Sequence, residues 1–152
     1  MDVRQTAAAA RDRFAAARVA RLATADAGGR PHLVPVTFAV AGETVYSAVD
    51  AKPKTTTALR RLANVAANPR VALLVDHYDD GDWSRLWWVR ADGAGRVLDA
   101  GEPEARRAID LLVGRYPAYR ETRPAGPVLA VDVDRWSAWS AGGAPAPPAS
   151  GA

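Results

Sequence analysis

The chain contains no cysteine among its 152 residues, which removes disulfides, thiolate metal sites and cysteine nucleophiles from its chemistry. Stability therefore rests on packing. Lysine is almost missing too: of 20 basic residues only Lys52 and Lys54 carry an ammonium group, and they stand two positions apart. The only histidines, His32 and His77, are far apart with no ligand types clustered beside them, so neither is assigned to a metal. Asp79, Asp80 and Asp82 lack the spacing and closing glutamate of a calcium loop. No serine sits in a nucleophile-elbow pattern. Charges at Asp2, Arg4, Arg11, Asp12 and Arg13 break up the N-terminal stretch, which excludes a signal peptide or membrane span there and makes the cytoplasm the expected location. The net charge of +3 is scattered, with no basic stripe interleaved with aromatics, so no nucleic-acid partner is expected.

What remains is one domain's worth of chain. Residues 1–140 carry the periodic segments, and the tail 141–152 is Ala, Gly, Pro and Ser with nothing to bury, which predicts disorder. Residues 6–17 favour a helix anchored by Phe14. Residues 18–24, 32–40 and 45–49 read as strands of a three-stranded meander, joined by turns at 26–29 and 41–42. Leu59, Leu62, Ala63 and Ala66 recur at helical spacing and stop at Asn68-Pro69. Residues 71–75 and 86–98 are strands, the second bent or bulged around Asp92-Gly93-Ala94-Gly95. Pro103 opens a helix that ends before Pro117, and residues 128–139 alternate as a last strand. The expected fold is mainly β (α+β): a six-stranded antiparallel barrel with peripheral helices.

The segment Asp50-Ala51-Lys52-Pro53-Lys54-Thr55-Thr56-Thr57 leaves a strand and enters a helix. The first turn of a helix offers unpaired N–H groups and the positive end of its dipole, a seat for an anion. Lys52 and Lys54, separated by a stiff proline, can converge on one phosphate, with threonine hydroxyls beside them and Arg60 one turn further on. Hydrogen bonds to a charged group contribute roughly 1.5–3 kcal/mol each, against about 0–1 kcal/mol for an exposed ion pair. A second reading of the same residues is a threonine N-cap beside solvated lysines. Trp83, Trp87, Trp88, Trp136 and Trp139 divide between core or dimer interface and a stacking wall for a planar ligand.

The runs Ala20-Arg21-Leu22-Ala23-Thr24, Gly28-Gly29-Arg30-Pro31-His32 and Val34-Pro35-Val36-Thr37-Phe38, the Lys52-Pro53-Lys54-Thr55 loop and Asn68-Pro69-Arg70-Val71-Ala72-Leu73 resemble the pyridoxamine-phosphate-oxidase-like split-barrel superfamily. More narrowly, the chain is similar to its actinobacterial branch that uses the deazaflavin coenzyme F420. The resemblance spans roughly residues 14–139 and rests on the order and spacing of these motifs. It implies a homodimer with cofactor sites between protomers and a small-molecule substrate. It implies that Lys52, Lys54, Thr55 and Thr56, with Arg60, hold the cofactor phosphate. Val34, Pro35, Val36 and Ser47 would line the ring system, and Trp87 and Trp88 would approach from the facing protomer or the dimer seam. No protein acid or nucleophile is required, because a deazaflavin carries the hydride itself. The implied activity is hydride transfer to an unsaturated or quinone-like molecule. The alternatives are an FMN-dependent enzyme of the same fold and a non-catalytic carrier. The arginine-rich FMN phosphate signature of true pyridoxamine phosphate oxidases is absent, which argues against that activity.

Overall fold

A computed structural model describes residues 3–49 and 56–142. In chain order the elements are α1 (Val3–Ala16), β1 (Ala20–Ala25), β2 (Pro31–Val36), β3 (Ala39–Ala41), β4 (Thr44–Ala48), α2 (Thr56–Ala67), β5 (Arg70–His77), β6 (Trp87–Leu98), α3 (Pro103–Arg115), α4 (Pro117–Glu121) and β7 (Val128–Ser140). The tail from residue 143 onward lies outside the described residues.

All strand pairs are antiparallel, in the order β2-β1-β5-β6-β7-β4-β3. The two edge strands, β2 and β3, are separated in sequence only by Thr37 and Phe38. A sheet whose opposite edges are joined by two residues must curl on itself, and the result is a split barrel with helices around it. The expected six strands become seven because the segment read as one strand over residues 32–40 leaves one edge and joins the other. The expected three-stranded meander is accordingly two hairpins, β1–β2 and β3–β4, at opposite edges.

The break has a specific cause. Phe38 is fully buried, 4.9 Å from the ring of Phe14 on α1. Its backbone is satisfied by a side chain instead of a ladder: Phe38 N–H donates to the Tyr116 hydroxyl at 3.1 Å. That hydroxyl lies 3.0 Å from the carbonyls of both Phe38 and Arg18 and donates its single proton to one of them.

Inward-facing Leu22, Leu73, Val75, Val89, Ala91, Leu129 and Val131 fill the barrel, closed at one end by Phe14, with Trp136 edge-on at 5.3 Å. The helix opened by Pro103 is α3, which buries Ala105, Ala108, Ile109 and Leu112 along one stripe. The irregularity expected near Gly93 is present, but the extra residue belongs to β7: Asp92 pairs with Arg135 and Gly93 with Val133, leaving Asp134 unopposed. A Cβ on Gly93 would stand 2.2 Å from the Asp132 carbonyl oxygen, so only glycine lets these strands approach. Among the described residues, no helix is long and apolar enough to cross a membrane.

Candidate functional site

Side-chain alternation along β2 sorts the residues expected to line a ring. Val36 is buried in the core and Val34 packs against that core, so both point inward. Pro35 is exposed on the opposite face, beside Arg21 of β1. Ser47 is buried, and its Oγ donates to the Thr37 carbonyl at 2.9 Å. What β2 offers a ligand is thus its outer face and its outer edge, since among the described residues it pairs with β1 alone.

Lys52, Lys54 and Thr55 lie outside the described residues, and Thr56 opens α2. The flanks of that loop are firmly placed. On one side Val49 N–H donates to the Pro127 carbonyl at 3.0 Å. On the other, α2 is seated by buried Val65 and by buried Asn64, whose amide donates to Thr24 Oγ1 at 3.1 Å.

Beside this helix lies a polar cleft of about 280 Å³ bounded by Asp26, Arg30, Pro31, His32, Arg60 and Asn64. Its single carboxylate is committed, because Asp26 Oδ1 accepts the backbone N–H of Gly28 and of Arg30, each at 2.9 Å. The guanidinium groups of Arg30 and Arg60 make no hydrogen bond or ion pair with any described residue, and His32 Nδ1 is buried without a partner. A cleft with two free cations and one engaged anion favours an anionic guest.

Arg61, the next residue on α2, was not singled out by the sequence reasoning. It is partly buried, its Nε is shielded from solvent with no hydrogen-bond partner, and desolvation lowers its pKa. An unpartnered cation taken out of water is costly unless an anion joins it. The available signal was an arginine four residues before Val65, on the stripe of α2 that turns toward the barrel.

The adjacent tryptophans part company, as neighbours on a strand must. Trp87 faces α1, with the Arg13 guanidinium 4.0 Å from its ring centre and His77 stacked alongside at 6.2 Å. Trp88 faces outward, 5.7 Å from Arg90, and lines an open, largely apolar groove of about 450 Å³ with Leu33, Ala23, Ala72, Leu74 and Arg21. Leu33 is 67% exposed and Leu74 37%. Register arranges this outer face in rows: Leu33, Ala23, Ala72 and Asp92; then Pro35, Arg21, Leu74 and Arg90; then Asp76, Trp88 and Trp139.

Away from the cleft, a charged network ties α3 to the sheet. Arg96 donates to both oxygens of Glu104 at 2.7 Å and to Asp132. Tyr46 OH donates to Glu104 Oε2 at 2.7 Å. The Arg96 and Tyr46 hydrogen bonds hold the Glu104 carboxyl down at about 2, and burial together with the Glu104 carboxylate raises Tyr46. Its geometry is that of a brace.

These features define a split-barrel protein with an anion-attracting cleft at the start of α2. Residues 6–140 match the family model described as pyridoxamine 5'-phosphate oxidase, and the chain belongs to that family and its split-barrel superfamily. No curated protein sequence matches. Among solved structures it is similar to a conserved hypothetical protein, Rv2991, from Mycobacterium tuberculosis: TM-score 0.65, 24% identity, 93% of this chain and 86% of that one. A FAD-binding protein from Mesorhizobium loti aligns at TM-score 0.63 and 20% identity, over 91% of this chain and 94% of that one. HutZ, the heme storage protein from Vibrio cholerae, aligns at TM-score 0.65 and 14% identity, over 91% and 93%. At these identities the likeness is one of fold.

Proposed function

We propose that this protein is a cytoplasmic oxidoreductase that binds a phosphate-bearing deazaflavin, coenzyme F420, and serves hydride transfer to an unsaturated or quinone-like small molecule. FMN is the alternative cofactor of the same site. The observation that carries the reading is the cleft beside α2 that holds Arg30 and Arg60, neither partnered by a described residue; Arg61, the next residue of the helix, has a shielded Nε with no partner among the described residues. The segment Lys52-Pro53-Lys54-Thr55 directly precedes the same helix in sequence, and its two lysines are the proposed further holders of the phosphate. Such residues fit a phosphate, and the outer edge and face of β2 fit a planar ring laid against backbone. When bound, the cofactor carries the hydride on its own ring. The chain's work is to fix the phosphate through Arg61, Arg60 and the lysine loop, to orient the ring along β2, and to exclude water.

The same reading takes the protein as a homodimer. On the outer face Arg21 and Arg90 share one row, Asp92 of the neighbouring row accepts from Arg90 at 2.9 Å, and Asp76 stands in the row on the other side. A second copy turned by a two-fold axis would cover the apolar groove of Leu33, Leu74 and Trp88. That packing would place Trp88 of one protomer near β2 of the other.

Fluorescence titration of the purified protein with oxidised coenzyme F420, FMN and hemin tests the assignment. Micromolar or tighter binding of the deazaflavin, ahead of FMN, is expected. FMN binding without a deazaflavin response would transfer the site to flavin. A Soret band with neither flavin response would replace the redox reading with heme handling, as in the heme storage protein HutZ.

A further inference from the structure

Burial grades the polar cleft beside α2. Arg30 and Arg60 are exposed at its rim, without partners among the described residues, whereas His32 is partly buried and Asn64 fully so. Register explains why the two inner residues meet the same space. His32 pairs with Thr24 across the β1–β2 hairpin, and directly paired residues carry their side chains on one face of a sheet. Thr24 is buried on that face, where its Oγ1 accepts an amide proton of Asn64 from α2 at 3.1 Å. The imidazole is thus carried to the side of the hairpin that α2 covers.

His32 Nδ1 is shielded from solvent and has no hydrogen-bond partner among the described residues. A shielded nitrogen is costly to leave unpaired, and the packing of α2 does not require it, because Asn64, Thr24 and buried Val65 seat the helix without the imidazole. The Asn64 amide has a surplus of its own: of its two N–H protons one goes to Thr24, which leaves the other for a guest. The single carboxylate of the lining, Asp26, is turned to the backbone N–H groups of Gly28 and Arg30. Two guanidinium groups, an imidazole and an amide therefore face a space that holds no free acceptor to match them.

We propose that His32 is a specificity-determining residue of this cleft: its Nδ1–H, with the spare N–H of Asn64, hydrogen-bonds the oxygens of a phosphoryl group whose charge Arg30 and Arg60 meet at the rim. A neutral imidazole carries one N–H, and the anion selects the tautomer with that proton on Nδ1. The inference rests on the reading in the preceding subsection for the molecule that bears the phosphoryl group, and adds to it the residue that reads the group's oxygens. Charge at the rim attracts any anion, whereas a fixed donor at depth rewards one whose oxygens reach it.

Because the chain has only two histidines, nuclear magnetic resonance of the intact protein with isotope-labelled imidazole nitrogens gives a direct test, and the spectrum of His32→Asn identifies the signals of His77. Inorganic phosphate and FMN should move the His32 Nδ1 resonance and leave His77 in place; riboflavin should not move it. Dissociation constants then separate a contact from packing. The gain in affinity of FMN over riboflavin, or of coenzyme F420 over its phosphate-free chromophore, should fall about ten- to a hundredfold in His32→Leu and His32→Gln. The melting temperature of free His32→Leu should not be lowered. The side-chain N–H of asparagine stands two bonds from Cβ, as Nδ1 does, and that of glutamine three, so His32→Asn should keep most of the gain. A His32 resonance unmoved by every phosphate-bearing titrant would overturn the proposal. Equal losses in the asparagine and glutamine variants, or losses that track a lowered melting temperature, would also overturn it. If neither cofactor bound, the redox reading would fall and the inorganic phosphate titration would decide this inference: a moved His32 would sustain it as a seat for free phosphate, and an unmoved one would remove it.

Discussion

Replacing Arg61 by leucine should move two measurements in opposite directions. In the free protein the guanidinium is partly buried, its Nε is unpartnered, and burial already disfavours its charge. Leaving a buried polar group unsatisfied costs about 1–3 kcal/mol, and partial exposure places Arg61 at the lower end of that range. A leucine side chain at this position would add apolar contact on the stripe shared with Val65. A gain of about 1 kcal/mol corresponds to a rise of roughly 2–4 °C in a domain of this size. In the proposed complex the same substitution would remove a charge-assisted contact worth roughly 1.5–3 kcal/mol, so affinity for a phosphate-bearing cofactor should fall about ten- to a hundredfold. Differential scanning fluorimetry without ligand and equilibrium titration with it give the two numbers. A lower melting temperature with unchanged affinity would refute the reasoning, because Arg61 would then be a structural residue whose partner had been misjudged.

Three further outcomes follow from the geometry. The folded-state pKa of Glu104 is depressed to about 2, so its brace contributes stability that is present above the ordinary carboxylate range and lost as pH falls from about 4.5 toward 2; Glu104→Gln should flatten that part of a melting-temperature profile, and an unaltered acid limb would refute it. Gly93→Ala places a methyl against the Asp132 carbonyl, with backbone on both sides of the clash, and should destabilise the protein by about 3 kcal/mol; a neutral effect in thermal denaturation would show that the bulge can shift. Leu33→Asp, at a position 67% exposed in the single chain, should leave the monomer's melting behaviour nearly intact while halving the mass seen by light scattering; retention of a dimer would mean that the copies meet elsewhere.

The elements were legible where local pattern dictates them. Pro103 and the stripe through Ile109 and Leu112 announced α3, and the alternation around Val131 announced β7. The division of residues 32–40 was not legible, because Phe38 continues an apolar pattern, and what ends the strand is a hydroxyl from Tyr116, distant in sequence. The site was readable as chemistry more than as geometry. The loop with Lys52 and Lys54 drew attention by its composition, and Arg60 does line the cleft. Arg61 escaped notice because an arginine on a helix is ordinarily solvated, and only packing reveals that this one is not. Trp87 and Trp88 look like a pair in sequence, but strand geometry sends them to opposite faces.

Because two residues carry the chain from one rim of the sheet to the other, neither rim can peel away independently. A protease that nicked the peptide between Thr37 and Phe38 would release both at once, turning a self-limiting curl into an open ribbon with two backbone templates for misassembly. The strand proposed to carry the cofactor ring would then no longer be tethered to its opposite rim.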